Sequence, residues 1–302
     1  MSVAIPHVGA ARRLRAYVEL AKPRISMLVV MTAVPALLIA ARGFPGARVF
    51  FGTLLGTVLA AGSAASFNMY FDRDLDARMR RTAARPLPAG VLAPASALGL
   101  GFALAALSWL TLELCGNLLA AAIGMLSIFY YAIVYTVWLK RRTPQNIVIG
   151  GGAGASAPLI AWAAVTGTVG APALLLFAII FLWTPPHFWA LSLYRREDYE
   201  RAGLPMLPVT HGEEETRRQI LLYSIALVAA TLAVAPLAGL GVVYGTAATA
   251  LGAAFLWGAW RLFRERSSKQ AVWLFRYSIL YLFVLFVCLS IDAVARYGLA
   301  GR

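Results

Sequence analysis

Apolar runs of about twenty residues recur along the whole chain, each long enough to cross a ~30 Å hydrocarbon core as a helix. They fall near 25–41, 50–71, 92–112, 116–138, 146–166, 172–193, 219–239, 242–260 and 272–295. With 61% of its residues hydrophobic and 13% charged, the chain is expected to be an all-α polytopic membrane protein of about nine transmembrane helices.

Lysine and arginine mark the cytoplasmic segments of such a protein. With the N-terminus inside, the cytoplasmic set takes Arg12, Arg13, Arg15, Lys22 and Arg24, then five residues within 73–85, three at 140–142, five within 195–218 and five within 261–276. Arg42, Arg48, Arg296 and Arg302 remain outside. The alternation predicts an odd number of spans and an outside C-terminus. It accounts for the net charge of +14 with no nucleic-acid partner, although the same arginines can meet the lipid bilayer or a phosphate substrate.

Residues 10–22, ARRLRAYVELAKP, read as a short amphipathic helix on the membrane surface. It belongs to a cytoplasmic arm, 1–24, ahead of a single transmembrane domain, 25–302. The run at 25–41 is long for a cleaved signal and lacks a convincing cleavage site, so it is taken as an uncleaved first span. Cys115 and Cys288 show no pairing pattern or metal-ligand spacing and are read as buried thiols. His7 is read as part of the tail.

Nine of the 13 acids fall in two cytoplasmic segments: Asp72, Asp74 and Asp76, then Glu197, Asp198, Glu200, Glu213, Glu214 and Glu215. RPLPAG at 85–90 and LPMLPV at 204–209 follow the two groups similarly, a weak mark of a four-helix unit used twice. Asn68, Asp72 and Asp76 stand four apart, so on a helix they line one face. Gly52, Gly56, Ala60 and Ala64 continue that face backwards and admit a close neighbour. A solvated helix end with Asp–Arg pairs is the plain alternative. Against it, the acids sit at the C-terminal end of their helix, where the dipole disfavours negative charge. Oxygen-only ligands of this kind suit Mg²⁺, which keeps waters and bridges to substrate phosphates.

The segment FNMYFDRDLDARMRRTAARPLPAG, 67–90, resembles the first diphosphate–Mg²⁺ motif of the UbiA superfamily of intramembrane prenyltransferases, in particular its haem-farnesylating branch. AKPRISMLVV at 21–30, YTVWLKRRTPQNIVIGGGAGASAPLIAW at 135–162 and TPPHFWALSLYRREDYERAGLPMLPVTHG at 184–212 carry the resemblance further. Residues 219–302 match only as generic apolar helices. The resemblance implies a nine-helix bundle around a central cavity with cytoplasmic cap loops, in a bacterial cytoplasmic membrane. It implies transfer of a farnesyl group from farnesyl diphosphate to a vinyl group of haem b, with haem A synthase or terminal oxidase assembly as candidate partners.

In that scheme Asp72 and Asp76, assisted by Asn68, hold Mg²⁺ against the departing diphosphate. Lys140, Arg141, Arg73 and Arg85 are candidate diphosphate clamps; their other role is positive-inside charge. The second acidic segment departs from the wider superfamily's D-x-x-x-D: it reads Tyr194-Arg-Arg-Glu197-Asp198. Asp198 is the best metal-side match there, with Glu197 second and Tyr194 in the partner position. Glu213 to Glu215 read as the acidic first turn of a helix.

His187, behind Pro185 and Pro186, is a candidate haem ligand; a core histidine bonded to carbonyls freed by the prolines is the alternative. His211 is a weaker candidate. Tyr131, Tyr135, Trp183, Phe188 and Trp189 suit either a porphyrin or an allyl cation, or plain packing. GGGAGASAP at 150–158 lacks the Lys–Ser/Thr pair of a phosphate loop and reads as tight helix packing around a flat substrate. Two other functions share the ladder: a prenyltransferase acting on a phenolic or quinone precursor, and a non-enzymatic haem carrier or transporter.

Overall fold

The structure, a computed structural model, describes residues 9–298, so His7 and Arg302 lie outside the described residues. All regular elements among the described residues are helices. The first, α1 (Ala10–Leu20), is the expected amphipathic helix. Its Ala16 and Leu20 pack on Met69, Leu87, Val91 and Leu92, while Leu14 and Val18 stay exposed as a second apolar face.

The bundle follows as α2 (Pro23–Ala41), α3 (Ala47–Arg78), α4 (Pro94–Cys115) and α5 (Leu118–Phe129), which runs straight into a π-helix, Tyr130–Leu139. The fifth apolar run is split at Ala155–Ser156 into α6 (Asn146–Gly154) and α7 (Ala157–Thr166), the latter opened by Pro158. Then come α8 (Ala171–Tyr194), the short α9 (Arg196–Arg201) and α10 (Leu207–Thr210), and the long α11 (Gly212–Leu237), α12 (Val242–Glu265) and α13 (Ser268–Tyr297). Eight spans among the described residues are long and apolar enough to cross a membrane, counting α5 with its π-helix and α6 with α7. The first expected span is shorter: the apolar part of α2 covers Ser26–Ala41.

The elements close a ring, α2, α3, α4, α5, α7, α8, α11, α12 and α13, with α13 packed back on α2. Outward side chains such as Phe51, Phe102, Leu110, Phe283 and Ile291 are exposed, as lipid contact requires. The expected close pair is α3 on α4. A Cβ at Gly52 would stand 2.2 Å from the Cys115 side chain, and one at Gly56 would stand 2.6 Å from that of Leu112. The approach lets Ser108 donate to the Gly56 carbonyl and Ser63 to the Gly101 carbonyl, both at 2.8 Å. Buried apolar residues are unevenly distributed. One large cluster joins α2, α7, α8 and α11–α13, whereas the α3–α5 side holds several small ones.

Candidate active site

The ladder forms as the spacing predicts: Asn68, Asp72 and Asp76 lie on one buried face at the end of α3. Each of the three is met by a cation from a different part of the chain. Lys22 Nζ donates to Asn68 Oδ1 at 2.8 Å, Lys140 Nζ to Asp72 Oδ2 at 2.5 Å, and Arg85 Nη1 to both Asp76 oxygens at 2.8 and 2.7 Å. Asn68 is oriented by its amide, which donates to Asp72 Oδ2 at 2.7 Å and Thr136 Oγ1 at 3.1 Å. The second oxygen of Asp72, Oδ1, is buried with no hydrogen-bond partner among the described residues. An unpaired carboxylate oxygen is costly in a protein interior, and this one fits a hard cation that the side-chain donors do not supply.

Sequence reading counts Lys22 only among the cytoplasmic positives, and the structure makes it part of the site. It joins α1 to α2 with φ at 47°, a left-handed backbone that costs a non-glycine residue ~1–2 kcal/mol. Burial lowers its ammonium from 10.5 to about 7, and the charges of Arg85 and Lys140 push the same way. Its place in AKPR, directly ahead of the first span, was the available sign.

The π-helix positions the opposite wall. Its wide turns appear in Thr136 Oγ1 donating to the Tyr131 carbonyl and Lys140 N to the Tyr135 carbonyl, five residues back in each case, at 2.7 and 2.8 Å. Such segments concentrate at functional sites, and here one brings Thr136 to Asn68 and Lys140 to Asp72. Below the ladder lies a largely apolar cavity of about 120 Å³, lined by Lys22, Ser26, Ala60, Ala64, Tyr131 and Gly154 among others. The Tyr131 and Tyr135 rings are 5.3 Å apart. Gly150 is small because the Tyr135 ring would stand 2.2 Å from a Cβ there, and Gly151 because Thr184 would stand 3.0 Å away. Those two glycines therefore serve helix packing, and Gly154 is the one that opens onto the cavity.

Other expected residues are not brought to the ladder. Arg73 is exposed, donating to the Tyr70 carbonyl and lying over the Tyr70 ring. Arg141 forms a two-bond pair with Asp74, whose side chain is 49% exposed against 1% for Asp72. Arg73 follows Asp72 on α3 and so points about 100° away from it around the helix, and Arg141, next to Lys140, reaches the exposed Asp74 instead of Asp72. Asp198 is buried but paired with Arg201 at 3.3 Å, and Tyr194 packs edge-on to Phe275. Among the described residues no three His, Cys, Asp or Glu side chains converge as a metal-binding group. Asp198 therefore does not join Asp72 and Asp76. Its neighbour Tyr199 packs with Leu75 and Met79, which ties the loop after α8 to the end of α3. Glu213 and Glu215 bond within the first turns of α11, as expected.

His187 belongs to the α8–α13 contact and is outside the cavity lining. Its ring stacks on Trp183 at 4.3 Å and on Phe275 at 4.7 Å, and Nδ1 is 2.7 Å from Ser278 Oγ. His187 is thus a buried, hydrogen-bonded histidine, as the alternative reading has it, but its partner is a serine on α13 and not a carbonyl freed by the prolines, since α8 runs unbroken through Pro185 and Pro186. Trp189 is core, edge-on to Tyr223. His211 is exposed, with Nδ1 beside Thr210 Oγ1.

Residues 29–287 match the model of the UbiA prenyltransferase family. The chain is 49% identical to protoheme IX farnesyltransferase of Parvibaculum lavamentivorans, over 96% of this chain and 92% of that one. It is 50% identical to the protein of the same name from Acidiphilium cryptum, over 91% and 90%. Among solved structures, a digeranylgeranylglyceryl phosphate synthase superposes with a TM-score of 0.78 at 17% identity, covering 94% of this chain and 99% of that one. A UbiA homolog from Archaeoglobus fulgidus bound to DMAPP and Mg²⁺ superposes with a TM-score of 0.62 at 16% identity, over 90% and 99%. The fold, the acidic ladder over an apolar cavity and these likenesses agree: the chain belongs to the UbiA prenyltransferase family, within its group of protoheme IX farnesyltransferases.

Proposed function

We propose that this integral membrane protein transfers the farnesyl group of farnesyl diphosphate to a vinyl group of haem b, with addition of water, giving haem O. The observation that carries the donor half is the capped ladder: three cations close over Asn68, Asp72 and Asp76 above an apolar cavity, and Asp72 keeps one oxygen unpaired. The acceptor half rests on the 49–50% identity to relatives named for protoheme IX.

Asp72, Asp76 and Asn68 would hold Mg²⁺, which when bound neutralises charge on the leaving diphosphate. Lys22, Lys140 and Arg85 then turn from the ladder to the diphosphate oxygens. Lys140 and Arg85 balance Asp72 and Asp76, and Lys22, lowered to about 7, takes up its full charge when a polyanionic headgroup arrives. The carbon–oxygen bond breaks with its electron pair leaving on diphosphate. The allylic cation stays beside Tyr131 and Tyr135, whose ring faces attract it. The vinyl π electrons form the new carbon–carbon bond, and water captures the cation produced beside the macrocycle, releasing a proton. We assign Asp198, on α9, and Tyr194, at the end of α8, to the rim of the mouth, and His187 is the axial ligand we assign to haem iron. The positive-inside pattern supports an N-terminus on the cytoplasmic side, and the bacterial relatives support a bacterial cytoplasmic membrane. The same pattern also supports residues 1–24 as a cytoplasmic arm on one transmembrane domain, 25–302; haem A synthase or terminal oxidase assembly is where we assign the product's onward use.

Purified protein given haem b, farnesyl diphosphate and Mg²⁺ should yield a haem heavier by one farnesyl group and one hydroxyl, and should leave 4-hydroxybenzoate unprenylated. Prenylated phenol with unmodified haem would overturn the acceptor.

A further inference from the structure

Ser278 controls which nitrogen of His187 carries the proton. A serine hydroxyl has one hydrogen to donate and lone pairs to accept with. Ser278 Oγ lies 2.7 Å from the Phe275 carbonyl, which can only accept, so the hydroxyl hydrogen is committed there. The contact of 2.7 Å between Ser278 Oγ and His187 Nδ1 is then attractive only if Nδ1 carries a hydrogen and donates it. In the opposite tautomer, one of these two short contacts would set lone pair against lone pair. Both partners are buried, and burial makes that mismatch costly.

The surroundings hold this arrangement from several sides. Trp183 Nε1 donates to the Ser278 carbonyl at 2.7 Å, so the indole that stacks on His187 is itself tied to the residue that orients it. Phe275, on the same turn of α13, takes the Ser278 hydroxyl on its carbonyl and stacks its own ring on the imidazole at an interplanar angle of 26°. Two aromatic planes and one hydrogen bond therefore set the ring's tilt, rotation and tautomer. Histidines that ligate metals characteristically donate their other ring N–H to such an acceptor, which fixes the ring and makes the ligating nitrogen more basic.

We propose that Ser278 is a positioning residue for the acceptor: it holds His187 as the Nδ1–H tautomer and so presents the lone pair of Nε2 to the iron of haem b. This rests on the assignment of His187 as axial ligand, and the two ideas fail differently.

The test uses full-length protein in detergent, with ¹⁵N-histidine NMR for the tautomer and titrations with ferric haem b and with iron-free protoporphyrin IX. Wild type should show Nδ1–H at His187. Ser278→Ala should bind ferric haem about tenfold more weakly, with a shifted Soret band. Ser278→Thr, which keeps the hydroxyl, should restore both. Neither variant should alter affinity for the iron-free ring. An Nε2–H tautomer in the wild type overturns the role of Ser278 while leaving the ligand assignment standing. Equal loss for haem and iron-free porphyrin in Ser278→Ala also overturns it, because the effect would then be packing. If His187→Ala leaves haem affinity and spectrum unchanged, the ligand assignment itself fails and the proposal with it, even where the tautomer is as expected.

Discussion

The mouth of the bundle and the α8–α13 contact are both buried polar sites, but they are finished to different degrees. At α8–α13 Ser278 meets the Phe275 carbonyl, His187 Nδ1 and the Trp183 indole N–H, each at 2.7 Å, and the rings of Trp183, His187 and Phe275 belong to or border the largest apolar cluster. At the mouth, Asp72 Oδ1 has no partner, Lys22 sits in a left-handed backbone, and cations cover the groups expected to hold a metal. A site complete before ligand arrives orients what it receives. A site left incomplete is one whose missing partner the ligand supplies, and its internal ion pairs must be exchanged on binding.

The largest effect expected from this contrast is at the mouth. Asp72→Asn should lower turnover by about 10²-fold or more, the scale on which removing a charge-stabilising group acts, while folded protein remains in the membrane. Full activity in folded Asp72→Asn would erase the contrast.

Lys22→Met should sharpen it through pH. A lysine with a folded value of about 7 and an ordinary value of 10.5 binds fewer protons folded than unfolded between those limits. Metal-free wild type therefore gains stability as pH rises from about 7, where its buried charge is being relieved. Lys22→Met lacks that slope, so its advantage in thermal unfolding should be greatest near pH 6 and shrink by pH 9. An advantage that grows with pH would contradict the burial of a charged Lys22.

The smallest effect belongs to Arg73→Ala, about twofold or less in turnover, because that side chain faces solvent beside Tyr70.

The same contrast decided how much could be read from sequence. The helical bundle was plain from run length, and the ladder from a period of four, because both are repeats along one chain. The α3–α4 glycine stripe was legible for the same reason. The cations that cap the ladder come from three separate segments, and only the turn of the fold separates Lys140 and Arg85 from Arg141 and Arg73. Adjacent residues on a helix point about 100° apart, so Lys140 reaches Asp72 while Arg141 reaches Asp74. A π-helix leaves no distinctive composition, so Thr136 was hidden within an ordinary apolar run. The partner of His187 lies on α13, in the region whose sequence carries no motif beyond apolarity.

The central claim is that the ladder and its covering cations form one diphosphate–metal site. Calorimetric binding of farnesyl thiodiphosphate, a slowly reacting analogue, to wild type and Lys140→Met, each with and without Mg²⁺, tests it most directly. Binding should require Mg²⁺ in wild type and be weaker by about tenfold or more in Lys140→Met, the cost of one lost charge-assisted contact. Equal affinity in the two proteins, or wild-type binding indifferent to Mg²⁺, would contradict the account.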